Sequence, residues 1–180
     1  YAQILASGPD SDWAAIMQCY FTAITKARNH IYIITPYFIP SETILNAIKI
    51  TALSDVEVSL MIPERSDTWL TNWGTMSYIS ELIEAGVKVY LFKRGFNHSK
   101  VLSIDGEYCI IGSANMDNRS FEHHFEVTSV IYDAECAKTV EDQFRRDLSR
   151  CTLVTKAKWR KRSRRNKFNE SVARLVSPLL

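Results

Sequence analysis

The chain has 180 residues, 46% hydrophobic and 23% charged, an ordinary globular composition with enough length for one well-cored domain. No apolar run reaches the ~18 residues that a membrane-spanning helix needs, and the first nine residues lack the basic start and long apolar stretch of a signal peptide. The net charge is +2, yet residues 156–167 (KAKWRKRSRRNK) hold eight basic and no acidic residues, leaving −6 elsewhere (+2 less +8), an imbalance that points to an anionic partner for that segment.

The chain starts at Tyr1 instead of Met, so we expect a piece of a longer protein. Leu5–Pro9 reads as the end of a short strand. A helix capped by Asp10 or Ser11 is predicted to run to about Arg28, with Ile16, Tyr20, Ala23, Ile24 and Ala27 on one face. Ile31–Ile34 is a buried strand ended by Thr35-Pro36, and Ser41-Glu42 opens a helix to about Leu53. Val56–Ile62 alternates as a strand stopped by Pro63. A third helix covers about Asp67 to Glu84, with Gly86 suited to its C-terminal cap. Val87–Phe92 is a strand, followed by a turn over residues 93–97. Ser99–Ile104 and Glu107–Ser113 form a hairpin at Asp105-Gly106. A strand over Glu122–Tyr132 and a helix over Asp133–Arg150 complete an α/β sandwich with a mixed central sheet flanked by helices. Residues 1–154 are expected to form the main folded domain, and 155–180 a basic, amphipathic C-terminal segment. In the latter Phe168, Val172, Leu175, Val176 and Leu179 fall on one helical stripe.

Chemistry concentrates between residues 98 and 115. His98 and Lys100 are two apart on a strand, so both side chains face one way. An imidazole can attack phosphorus or protonate a leaving oxygen, and an ammonium can neutralise the charge that develops on phosphoryl oxygens. Ser113 and Asn115 repeat the spacing on the neighbouring strand end and would add neutral donors. Gly112 leaves room for close approach of the backbone to a ligand.

His98, Lys100, Asp105, Gly112, Ser113 and Asn115 together resemble the HKD signature of the phospholipase D superfamily. The resemblance implies that His98 is nucleophile or general acid, that Lys100 and Asn115 clamp the phosphate, and that Asp105 is structural. It also implies that Glu126, 28 residues after His98, hydrogen-bonds the catalytic imidazole. The segments 6–13 (ASGPDSDW), 35–40 (TPYFIP), 112–121 (GSANMDNRSF) and 170–180 (ESVARLVSPLL) resemble the C-terminal half of bacterial cardiolipin synthases. Such enzymes join two phosphatidylglycerol molecules into cardiolipin and release glycerol. The expected setting is the cytoplasmic face of the bacterial inner membrane. The family carries two HKD motifs and this chain one, so the other half of the parent chain or a homodimer mate is expected to complete the site.

No cofactor and no metal is expected. Cys19, Cys109, Cys136 and Cys151 match no zinc or redox spacing and are expected to be reduced and mostly buried, in a cytosolic compartment. His123 and His124 would face opposite sides of a strand, and His30 would stand alone before one. Trp69, Trp73 and Tyr78 suggest core packing or an acyl-chain groove. Arg119 is a candidate lipid-phosphate contact or a structural ion pair. Arg160, Lys161, Arg162, Arg164 and Arg165 are candidate contacts to an anionic membrane surface. The competing reading is a single-motif homodimeric phosphodiesterase or nuclease of the same superfamily, and a third is a non-catalytic membrane-binding module with a vestigial motif. The cardiolipin synthase segments favour the lipid enzyme, for which no specific nucleic acid is expected.

Overall fold

The computed structural model describes residues 1–93 and 95–176. In chain order it contains β1 (Ala2–Ser7), α1 (Ala15–Lys26), β2 (His30–Ile34), β3 (Phe38–Ile39), α2 (Glu42–Leu53), β4 (Glu57–Pro63), α3 (Trp69–Glu84) and β5 (Lys88–Phe92). There follow β6 (Val101–Ile104), β7 (Tyr108–Gly112), β8 (Met116–Asp117), a π-helical turn (Arg119–His123), β9 (Glu126–Ile131), α4 (Ala134–Leu148), β10 (Cys151–Leu153), α5 (Lys156–Arg160) and α6 (Arg164–Val176). The main sheet has the order β1-β9-β7-β6-β2-β4-β5-β10. The β2, β4 and β5 pairings are parallel and the others antiparallel, so the sheet is mixed.

Strand β4 shows why the sheet is a middle layer. Successive side chains point to opposite faces, yet Val58, Leu60, Met61 and Ile62 are all buried, which requires cover on both sides. Val58, Leu60 and Ile62 join the core beneath α1, α2 and α3, while Met61 packs with Ile34, Phe92 and Phe144 of α4. Burying side chains of this size stabilises by ~1.5–3 kcal/mol each. Ser41, Thr68 and Asp133 cap α2, α3 and α4 by accepting from Ile44 N, Thr71 N and Cys136 N. The start of α1 differs from expectation. It begins after Ala14 with no side-chain cap, because the Ser11 Oγ is taken by Gly8 N (3.0 Å) in the turn that follows β1.

Asp105 sits at φ 55° in the β6–β7 turn. Its carboxylate accepts three backbone N–H groups, from Arg28 (2.8 Å), Asn29 (2.7 Å) and His30 (2.8 Å). The turn is thereby tied to the entrance of β2. His30 is not alone as expected: its Nε2 meets the buried Glu141 carboxylate at 2.6 Å, which also accepts from Ser103 Oγ and pairs with Arg145.

Three further expectations need correction. The strand begins at Glu126, not Glu122, because residues 119–123 coil into the π turn, so His123 and His124 do not flank a strand pleat. Trp69 is 59% exposed and meets Trp73 edge to face, whereas Tyr78 alone of the three is in the core. Of the two readings open to the C-terminal stripe, packing on the core or facing an anionic lipid surface, the first does not hold. Phe168 is 68% exposed and Leu175 82%, while Glu170 and Ala173 are the buried side chains of α6, which packs on α3. Leu179 lies outside the described residues. Among the described residues no helix is long and apolar enough to cross a membrane.

Candidate active site

His98 and Lys100 lie on the irregular lead-in to β6 instead of on the strand itself. Asn97 Oδ1 accepts Ser99 N (3.1 Å), a local side-chain turn that bends the chain at His98. The exposed imidazole stands against Phe96 (ring centroids 5.5 Å) and Tyr37 (6.3 Å). Lys100 is 8% exposed, and its Nζ donates to the His98 carbonyl (2.8 Å) and lies 3.0 Å from both ring nitrogens. Burial holds the Lys100 ammonium below the ordinary lysine range, against the opposing pull of the Glu126 and Asp117 carboxylates.

The β6–β7 pairing carries the second pair of residues to the first. Gly112 N donates to Lys100 O (3.2 Å), and Ser113 N donates to Val127 O (2.9 Å) on β9. Ser113 Oγ accepts Val127 N (3.0 Å) and donates to Glu126 Oε2. The partner of Glu126 in this chain is therefore Ser113; no hydrogen bond joins it to His98 among the described residues. A cavity of about 350 Å³ opens beside this pair, lined by Gly8, Asp10, Ser113, Phe125, Glu126 and Val127. The fold itself also requires Gly112 to be small. A Cβ there would sit 2.7 Å from Val127 O and 2.8 Å from Thr128 Cα, so the neighbouring strand excludes it.

Asn115 is half-buried, and its amide lies close enough to the Asp117 carboxylate to favour the charged form. Its Oδ1 is buried without a partner among the described residues. Asp117 is 7% exposed and accepts Ser120 N at 2.7 Å. Burial nevertheless holds its carboxyl above the ordinary range, against Ser120, the His124 charge and the Asn115 amide. The segment 35–40 builds the wall beside it. Thr35 Oγ1 accepts Met116 N (3.2 Å) and donates to Tyr37 O (2.8 Å), and β3 pairs with β8 in parallel.

Asp117 and Tyr37 carry no role that their sequence positions reveal. Only the fold brings the first under Asn115 and the second against His98. Arg119 is exposed and makes no ion pair among the described residues. Arg162, a candidate lipid contact, is turned inward: it is bidentate to buried Glu170 (2.7 and 2.8 Å) and lies over Trp159. Arg160 reaches Glu84 at 4.0 Å, while Lys161, Arg164 and Arg165 are exposed. The four cysteines are free, and Cys109 and Cys136 approach to 3.6 Å. Among the described residues no three His, Cys, Asp or Glu side chains converge as a metal site would require.

The family described as "Cardiolipin synthase, PLD-like domain" matches residues 20–148. A cardiolipin synthase of Geobacillus thermodenitrificans is 43% identical over 178 residues, covering 99% of this chain and 36% of that protein. The chain thus spans about a third of the length of the curated relatives it matches. Nuc, a phospholipase D family member from Salmonella typhimurium, superposes with a TM-score of 0.72 at 20% identity, covering 86% of this chain and 97% of that one. The phosphatidylserine synthase of Haemophilus influenzae gives 0.73 at 18% identity, covering 97% of this chain and 44% of that one. At such identities the two structures speak for the fold alone. They show it both as nearly a whole chain and as less than half of a longer one.

Proposed function

The chain belongs to the cardiolipin synthase, phospholipase D-like domain family, and from that membership we propose that it is one catalytic half of a phosphatidyltransferase. The proposed reaction moves a phosphatidyl group from one phosphatidylglycerol to the glycerol hydroxyl of another, giving cardiolipin and free glycerol. The observation that carries this reading is the buried Lys100 ammonium 3.0 Å from the exposed His98 ring. An ammonium beside the ring can neutralise the oxygens of a phosphoryl group that the ring attacks, and an unprotonated ring nitrogen holds the lone pair that a nucleophile uses.

In the proposed sequence a His98 nitrogen attacks phosphorus. The P–N bond forms as the bond to the glycerol oxygen breaks, and an acid on the opposite side protonates that oxygen. The second lipid's hydroxyl then attacks the phosphohistidine, gives up its proton to the same group, and regenerates the imidazole. Lys100 neutralises the equatorial oxygens, and the amide of Asn115 and the hydroxyl of Ser113 donate to them. The sequence contains one His-x-Lys pair. The opposing acid therefore comes from the other half of the longer protein, or from the same residues of a homodimer mate across a two-fold axis. The setting is the cytoplasmic face of the bacterial inner membrane, where such a substrate lies.

The test uses the full-length protein and phosphatidylglycerol labelled in its phosphate. Rapid quenching should trap the label on His98 as an acid-labile, base-stable adduct. His98→Ala and Lys100→Ala should abolish both the adduct and cardiolipin formation. Label on Ser113, or turnover surviving His98→Ala, would overturn the reading. DNA should neither be cleaved nor protect the chain from thermal unfolding, whereas dispersed phosphatidylglycerol should protect it.

A further inference from the structure

A second cleft of about 470 Å³ lies between the start of α3 and α6, outside the catalytic cluster. Its walls carry Arg65, Trp69, Trp73 and Arg165, with the amides of Asn72, Asn166 and Asn169 between them. The charges here are arranged unlike those nearby. Arg160, Arg162 and Arg174 all meet carboxylates of α3 or α6. Arg65 and Arg165, both exposed, have no hydrogen bond or ion pair among the described residues. The carboxylate in the cleft, Asp67, is already engaged: it accepts from Tyr37 Oη (2.6 Å) and Ser66 Oγ (3.1 Å). The cleft thus offers two free guanidinium groups and several amide donors beside an edge-to-face pair of indoles.

Two observations say what fits. Asp67 is held by Tyr37, whose ring stands 6.3 Å from that of His98, so the cleft and the catalytic histidine share a wall. Trp69 is 59% exposed, and Phe168 and Val172, three and seven residues beyond Arg165 on α6, are also exposed, so the cleft opens beside an apolar surface. Guanidinium forks match phosphate oxygens, and indoles at the edge of an apolar surface suit the boundary between headgroup and acyl chain.

We propose that this cleft is a headgroup subsite for an anionic phospholipid at the membrane surface. Arg65 and Arg165 bind its phosphodiester, and Trp69 and Trp73 pack against its glycerol and the start of its acyl chains. The assignment rests on the proposed phosphatidyl transfer and deepens it: the subsite holds one of the two lipids beside His98 while the other reacts.

Binding separates this assignment from the chemistry. The chain carrying His98→Ala is sedimented with phosphatidylcholine vesicles containing or lacking phosphatidylglycerol. Arg65→Gln with Arg165→Gln should cost roughly tenfold in affinity for the anionic vesicles, whereas the control pair Lys161→Gln with Arg164→Gln, equal in charge and outside the cleft, should cost roughly twofold. Trp69→Phe should remove most of the blue shift in tryptophan emission that vesicles induce, with the thermal midpoint unchanged. Equal losses in the two double variants would reduce the cleft to non-specific basic surface and overturn the assignment. Full displacement of the vesicles by millimolar inorganic phosphate would identify a phosphate site instead of a lipid subsite, and displacement by a single-stranded oligonucleotide would identify a nucleic-acid groove; either result overturns it. Because His98 is absent throughout, failure of the transfer reaction leaves these outcomes readable.

Discussion

The Asn115 amide lies close enough to the Asp117 carboxylate, two residues on, to favour its charged form, yet burial outweighs that pull. Asp117 is thus a buried group whose carboxyl is held above the ordinary range by desolvation.

Asp117→Asn should therefore separate function from stability. Loss of the carboxylate beside the Asn115 amide should lower kcat by roughly 10–100-fold with little change in KM. The sign of the stability effect follows from the raised pKa. The folded state disfavours the anion, so the wild type loses stability as pH rises from the unfolded carboxylate value of ~3.9 through the folded one. The variant lacks that loss, and its stability relative to wild type should improve between pH 4 and pH 8. A relative decline over that window, measured by thermal unfolding, would show that the anion is stabilising.

Lys100→Met should abolish transfer yet unfold about 2–4 °C higher at pH 7, because a buried ammonium facing no carboxylate at bonding distance is replaced by an apolar chain of similar length. Burial lowers the lysine pKa, so the wild-type cost is fully present below the folded value. It should vanish above the ordinary lysine value of ~10.4. The gain of the variant should shrink over that interval. An unfolding temperature below wild type at pH 7 would mean that the bonds to His98 outweigh desolvation.

Ser113 and Glu126 should behave as one unit. Ser113→Ala and Glu126→Gln are each expected to lower kcat by roughly 10–100-fold, and the double variant to lose no more than the worse single one, since either change breaks the same contact. Multiplicative losses would mean that Glu126 acts elsewhere, for example on His98 in the completed two-half site.

Gly112→Ala should destabilise by about 1–3 kcal/mol, since the added methyl meets not only the Thr128 hydroxyl but also the β9 backbone, which cannot swing away. Because Ser113 follows directly, kcat should fall too. Calorimetry beside turnover checks both effects; an alanine variant of wild-type stability would show that β9 yields.

The strands and helices that lie in the sheet or cap themselves were legible in the sequence, because their periodicity and capping residues are local signals. The HKD residues were legible as a pattern. What the sequence could not supply was side-chain pairing across the sheet: Glu126 meets Ser113 only because β7 and β9 are adjacent, although they are separated in the chain by β8 and a π turn. The sequence left the direction of Phe168, Val172 and Leu175 open between core and lipid surface. Helical spacing identifies a stripe but not which stripe wins the core, and here Glu170 goes inward because Arg162 is there to meet it.

The three backbone N–H groups gathered by Asp105 act as a length gauge. They fix one end of β6 to residues 28–30, and the reactive pair hangs from the other end. Strand side chains alternate, so one residue more or fewer between Asp105 and Lys100 would turn the ammonium to the opposite face of the sheet. On the proposed reading, the five-residue step from Lys100 to Asp105 would set the side from which a phosphate is approached, with Asp105 acting on the chemistry from a distance.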